Sequence, residues 1–220
     1  MSFYPSYEEQ FNSLDKDRQN ILRQLPHLEE IEGWLLLSEV AELFSLAKSI
    51  SSHEPVVCEI GAWRGKSAYV FGNAIKNKNG KLYSIDPFNG DGDYKSREAY
   101  HKIMDSMENS LFNDFQSTIK KYGLDKTVNA IPFSSEDARP KFPENSIDML
   151  FIDGNHEYDA VKKDYELWSP LIPSGGIIVL HDVRAKHVDG PRRVMEEFIS
   201  NGKNWRDARI VGEMGVAIKA

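Results

Sequence analysis

Two stretches of the chain place acids and imidazoles where chemistry can be done. Phe151-Ile152-Asp153-Gly154-Asn155-His156-Glu157-Tyr158 runs an apolar segment into a polar turn, and Gly176-Ile177-Ile178-Val179-Leu180-His181-Asp182 does the same. Carboxylates and imidazoles that converge at neighbouring strand ends can hold a divalent metal through Asp153, His181 and Asp182. Oxygen ligands favour Mg²⁺ or Mn²⁺, while the imidazole keeps Zn²⁺ and Fe²⁺ open. His156, one turn beyond Asp153, is a candidate general base or a further ligand, and His181 is the other candidate base. The competing reading of each residue is a cap or hydrogen-bonding side chain of a strand–helix loop.

A third stretch, Glu59-Ile60-Gly61-Ala62-Trp63-Arg64-Gly65-Lys66-Ser67, follows an apolar run and opens a helix. Its glycines let the backbone turn sharply near a ligand, and the helix start presents free N–H groups. A dinucleotide site would carry G-x-G-x-x-G here. Bulky Trp63 and Arg64 between Gly61 and Gly65 depart from such a pyrophosphate cradle. An acid at Glu59 suits a ligand carrying an ammonium group. Asp86 ends the next apolar run, Lys81–Ile85, and is placed either for ribose hydroxyls or as a helix cap. In Phe133-Ser134-Ser135-Glu136-Asp137-Ala138, Ser135 is either an N-cap or part of a loop beside a nucleoside base. Asn89, Asp91 and Asp93 alternate like the start of a calcium loop, but Tyr94 and Tyr100 occupy the positions that need glycine and glutamate. That segment reads as a solvated or lid-forming acidic loop.

The elements that must position these residues follow from periodicity. Apolar residues at helical spacing (Phe11, Leu14, Ile21, Leu22, Leu25) predict an N-terminal helical extension over residues 1–33. Its apolar face must pack on its own domain or build a homodimer contact. Leu36, Leu37, Val40, Leu43, Phe44 and Ala47 predict a helix from Trp34 to Ile50. Strands are expected at Pro55–Ile60, Lys81–Ile85, Thr127–Pro132, Ile147–Ile152 and Gly176–Leu180. Helices are expected at Lys66–Lys76, Tyr158–Trp168 and Pro191–Ser200. Ile210–Val211 and Val216–Ile218, around Gly212 and Gly215, read as a hairpin. The alternation implies an α/β domain over residues 34–220 with a mostly parallel sheet. Residues 87–126 break the rhythm and read as a lid-like insertion with helices of its own.

Composition narrows the functional classes. Of 220 residues, 40% are hydrophobic and 28% charged, an ordinary globular balance. The formal net charge of -7 argues against a nucleic-acid partner. No stretch approaches the ~20 apolar residues of a membrane span, so no membrane partner is expected. Met1–Gln10 lacks the apolar core of a signal peptide, and the expected location is the cytoplasm. The one cysteine, Cys58, lies in an apolar run and reads as a small hydrophobe.

Taken in order, Glu59–Ser67, Asp86, Ser135-Glu136 and the Phe151–Asp182 signature resemble the class I S-adenosylmethionine-dependent methyltransferases. The likeness is closest to the branch with macrocin-type sugar O-methyltransferases and cephalosporin-hydroxylase-like or glycan-biosynthesis methyltransferases. It covers residues 55–185 and includes Asp164, Trp168, Pro170, Leu171 and Gly175-Gly176. The resemblance implies a Rossmann-like, seven-stranded, mostly parallel sheet with a C-terminal antiparallel hairpin. It implies a cofactor site of Glu59, Gly61, Trp63, Gly65, Ser67, Asp86, Ser135, Glu136 and Asp153, with Glu59 and Gly61 near the methionine part, Asp86 on the ribose, and Ser135-Glu136 bordering the adenine. It also implies Asp153 and Asp182 as metal positions. Some relatives carry a second acid or amide beside the last aspartate, where this chain has His181 and Val183. The expected activity is methyl transfer from S-adenosylmethionine to a hydroxyl of a small molecule or sugar, assisted by Mg²⁺ or Mn²⁺. The alternatives are a metal-independent N- or phenol-methyltransferase with a histidine as sole base, a nucleotide-sugar- or NAD-binding enzyme, and a non-catalytic cofactor-binding protein.

Overall fold

The computed structural model describes residues 5–220, so the first four residues of the expected extension lie outside it. Five short apolar runs form parallel strands: β1 (Val56–Ile60), β2 (Lys81–Ile85), β3 (Val128–Ile131), β4 (Met149–Ile152) and β5 (Ile177–Leu180). A hairpin of β6 (Trp205–Val211) and β7 (Met214–Lys219) adds antiparallel to β5. The strand order is β3-β2-β1-β4-β5-β7-β6. β4 and β5 are buried along their whole length, as strands covered by helices on both faces must be. The order reverses at β1, between β2 and β4. A crevice for ligands opens at such a switch point, beyond the carboxyl ends of the strands.

The helices are α1 (Tyr7–Ser13), α2 (Lys16–Leu22), α3 (Leu37–Ser49), α4 (Lys66–Ile75), α5 (Arg97–Asp105), α6 (Leu111–Lys121), α7 (Ser135–Ala138), α8 (Tyr158–Trp168) and α9 (Gly190–Val194). Strand alternation divides the core between the two sheet faces. Val57, Met149 and Phe151 pack with the N-terminal segment, α3, α4 and α6, whereas Cys58, Leu150 and Ile152 pack with α8 and α9. In the N-terminal segment, Leu22, Leu25, Leu28 and Ile31 are buried in the chain's own core. Residues 87–126 contain two different helices. α6 puts Leu111, Phe115 and Ile119 into the core, one residue per turn. α5 buries none of its residues.

Several boundaries depart from expectation. The helix expected from Trp34 begins at Leu37, because the Glu39 carboxylate accepts the Leu36 N–H at 2.7 Å and caps it there. The helix expected over Pro191–Ser200 is α-helical only to Val194 and widens into a π-helical turn over Met195–Ser200. β6 begins at Trp205 rather than Ile210, and Gly215 lies inside β7 rather than in the turn. Among the described residues no helix is long and apolar enough to cross a membrane.

Candidate active site

Sheet register assembles the site. Pairing of β1 with β2 and β4, and of β4 with β5, puts Ile85, Ile60, Ile152 and Leu180 on one line. The next residues, Asp86, Gly61, Asp153 and His181, therefore share one edge. A cavity of about 1160 Å³ lies against that edge, with Gly61, Asp86, Asp153 and His181 all in its wall.

At one end the β1–α4 turn is shaped by carboxylate and glycine together. Gly61 has φ +87°, and a Cβ there would fall 2.2 Å from the Asp153 carbonyl oxygen. Asp86 accepts the N–H groups of Ala62 and Trp63 on Oδ2, at 2.8 and 3.1 Å, and that of Phe88 on Oδ1, at 2.6 Å. Burial pushes its carboxyl up, and these three amides partly offset the shift. Trp63 and Ser67 line the cavity, as do Ser135 and Glu136. Ser135 donates to the buried Asp164, whose carboxyl burial pushes up to about 6. Glu136 pairs with Lys163.

Two of the expected cofactor residues lie behind this wall. Gly65 packs its backbone against Phe115 of α6. Glu59 is fully buried, accepts the Ser84 hydroxyl at 2.6 Å and touches Ser67. Its Oε2 has no partner, and burial holds the carboxyl protonated up to about 8.

At the other end, one ligand atom each from Asp153, His181 and Asp182 lie within 4.8 Å of one another. His181 Nδ1 is 3.1 Å from Asp153 Oδ1 and 3.2 Å from Asp182 Oδ2, while its Nε2 is 3.2 Å from Glu39 Oε2. Asp182 has φ +58°, a left-handed conformation rare outside glycine and asparagine or aspartate. His156 Nδ1 lies 2.8 Å from Asp93 Oδ2. His156 Nε2 is 3.1 Å from Asp182 Oδ2, but off hydrogen-bond alignment, and so has no partner. Burial opposes a charge on His156, yet the carboxylates of Asp153, Asp182 and Asp93 outweigh it and hold the imidazolium up to about 12. His181 is held well above its usual range in the same way. Opposite charge likewise pulls Asp153 and Asp182 down against burial.

Residues 58–183, more than half of the chain, match the family described as methyltransferase domain. The chain belongs to this methyltransferase-domain family. The O-methyltransferase TomG of Streptomyces achromogenes, solved in complex with SAM, superposes on the domain with a TM-score of 0.62 at 15% identity, covering 94% of this chain and 91% of that one. An uncharacterized protein of Acanthamoeba polyphaga mimivirus is 29% identical over 140 residues, 64% of this chain and 57% of its own length. An uncharacterized protein of Sinorhizobium fredii is 24% identical over 134 residues, 59% of this chain and 13% of its own. The chain thus spans less than two thirds of the length of either curated relative.

Four residues of this cavity region escape the motif reading. Glu39, on α3, holds His181 from 142 residues away in sequence. Asp93, read as a solvated or lid acid, is fully buried and bonded to His156. Trp34 and Tyr100 join Trp63 in an aromatic cluster with ring centroids 5.1–5.6 Å apart. Two histidines beside two carboxylates ask for further acids to hold their outer ring nitrogens, but sequence spacing does not say which acids supply them.

Proposed function

We propose that this domain transfers a methyl group from S-adenosylmethionine to a hydroxyl oxygen of a small molecule or sugar, with Mg²⁺ or Mn²⁺ at Asp153, His181 and Asp182. One observation carries the reading: register brings a two-carboxylate, one-imidazole centre to the same cavity wall as the Gly61 turn and Asp86. The resemblance to O-methyltransferases, TomG among them, supports oxygen as the acceptor atom.

The residues fit both groups. The cavity is larger than the ~300–1,000 Å³ usual for a single small ligand. The buried Trp63 Nε1 beside it is unpartnered and offers a donor. Glu39 engages His181 Nε2, which leaves Nδ1 to face the two aspartates. That mixed oxygen and nitrogen set suits a divalent cation.

When bound, S-adenosylmethionine supplies an electrophilic methyl carbon on a sulfonium. A cation at the acidic centre supplies charge that offsets the aspartates and lowers the pKa of a nearby hydroxyl. The chain's own residues do the rest. Asp86 rigidifies the β1–α4 turn through three amides and is the residue that would hold the cofactor's ribose hydroxyls. Ser135 and Glu136 would border the adenine, and Ser67 would face the methionine end. Asp153 and Asp182 orient the acceptor oxygen, since displacement at carbon depends on alignment. Only when a cation offsets the charge of Asp153 and Asp182, which otherwise hold the imidazolium, would His156 be free to take the acceptor's proton at Nε2, with Nδ1 fixed by Asp93. His181, held on both nitrogens, is a ligand rather than the base.

Mn²⁺ titration followed by electron paramagnetic resonance tests the centre without the acceptor. One Mn²⁺ is expected to bind the protein loaded with S-adenosylhomocysteine, and Asp153→Asn and Asp182→Asn are expected to lose it while keeping the sulfur ligand. Equal Mn²⁺ binding by both variants would remove the metal from Asp153 and Asp182 and overturn this centre.

A further inference from the structure

One part of the cavity wall is cationic in a chain whose formal net charge is -7. Arg184, Lys186 and His187 follow closely on Asp182, and Lys95 joins them from the β2–α5 segment; all four line the cavity. Arg184, Lys186 and Lys95 are exposed. Among the described residues none of these three has a carboxylate within 4.0 Å. Of the other lysines in the wall, Lys163 pairs with Glu136, and Lys66, away from this group, donates to the Gly33 carbonyl at 3.2 Å. The acid Asp91, also in the wall, is engaged by Arg97 at 2.5 Å and His101 at 3.2 Å. The Lys95 ammonium donates to the His187 carbonyl at 2.6 Å, which fastens the 184–187 loop to the β2–α5 segment.

Unpaired cations gathered beside a reaction centre create a local positive field that an anionic ligand would fill. Arginine and lysine differ as donors, one a planar fork and the other a point charge, and together they suit a multiply charged oxyanion. The cavity volume leaves room for a second ligand beside a cofactor. The aromatic cluster of Trp34, Trp63 and Tyr100 offers an apolar wall for that ligand's body.

We infer that the methyl acceptor is an anion: a hydroxyl compound whose phosphate or carboxylate group is held by Arg184 and Lys186 while its hydroxyl faces Asp153 and Asp182. This rests on the methyl-transfer reading of the cavity. Arg184 and Lys186 line the same cavity as Asp153 and Asp182, so one small molecule can present its charged group to the first pair and its hydroxyl to the second.

The test is calorimetric titration of pyrophosphate, and separately of citrate, into metal-free protein saturated with S-adenosylhomocysteine. The proteins compared are the wild type, the double variant Arg184→Ala/Lys186→Ala and a control double variant, Lys16→Ala/Lys203→Ala, at exposed cations. Expected is saturable one-site binding, at least tenfold weaker in the first double variant and unchanged in the control. S-adenosylhomocysteine affinity stays within twofold throughout. Tighter pyrophosphate marks a phosphate on the acceptor, and tighter citrate a carboxylate. The inference is overturned by a lack of saturable anion binding, or by equal loss in both double variants. A parallel loss of S-adenosylhomocysteine affinity also overturns it, by assigning the cations to the cofactor. If wild-type protein fails to bind S-adenosylhomocysteine at all, the proposed function itself falls, and the two failures are told apart.

Discussion

Replacing Glu59 by Gln tests how the sheet tolerates an acid at its centre. The side chain is fully buried on β1, with Oε1 accepting the Ser84 hydroxyl and Oε2 unpartnered. Burial holds its proton up to about 8 in the folded chain, against a usual value of 4.5. Between those pH values the folded state carries one more proton at this site than the unfolded state does. Stability at this position therefore falls as pH rises, with no penalty below 4.5 and the full penalty above about 8. The gap corresponds to about 5 kcal/mol as an upper bound, and relaxation around the carboxylate brings the expectation to about 2–5 kcal/mol. Glutamine keeps the acceptor for Ser84 and has no charge to bury. Urea unfolding of wild type and Glu59→Gln from pH 5.5 to 8.5 reads the effect. The stability difference in favour of the variant is expected to grow steadily over that range. Curves that stay parallel would refute the claim that Glu59 carries its proton in the free protein.

Three further outcomes are expected. Gly61→Ala combines a positive φ with a Cβ 2.2 Å from the Asp153 carbonyl; the loss of stability should be about 2–5 kcal/mol in denaturant melts, and an unchanged midpoint would contradict the packing. Glu39→Gln removes the charged partner of His181 Nε2, and Mn²⁺ affinity should fall about 10–100-fold with S-adenosylhomocysteine binding retained; unaltered metal affinity would deny Glu39 a supporting role. Tyr100→Ala takes one ring from the cluster that ties α5, itself without buried residues, to Trp34 and Trp63; amides of residues 97–105 should exchange hydrogen several-fold faster, and unchanged exchange would show that α5 is held by other contacts.

Much of the fold is legible because apolar runs alternate cleanly with amphipathic ones. β4 and β5 are short and apolar on both faces, and each ends where its sequence turns polar, at Asp153 and at His181. β6 was harder to see: five of its seven residues are exposed, and Arg206-Asp207-Ala208-Arg209 reads as loop. An edge strand needs only one partner and little apolar surface, so alternation fades there. The site divides in the same way. Asp153, His156, His181 and Asp182 stand at strand ends and announce themselves. Asp93 and Glu39 do not, because a lid acid and a helix-capping acid look alike until the fold brings them to a histidine. Glu59 and Gly65 show the converse, being motif residues whose place is behind the cavity wall rather than in it.

The central claim is that this cavity binds S-adenosylmethionine. Calorimetric titration of S-adenosylmethionine and S-adenosylhomocysteine into the purified protein, with NAD as control and with and without Mg²⁺, tests it most directly. Micromolar binding of both sulfur ligands, with none of NAD, is the predicted result. A folded sample that binds neither sulfur ligand would contradict the claim and return the cavity to a nucleotide-sugar or non-catalytic role.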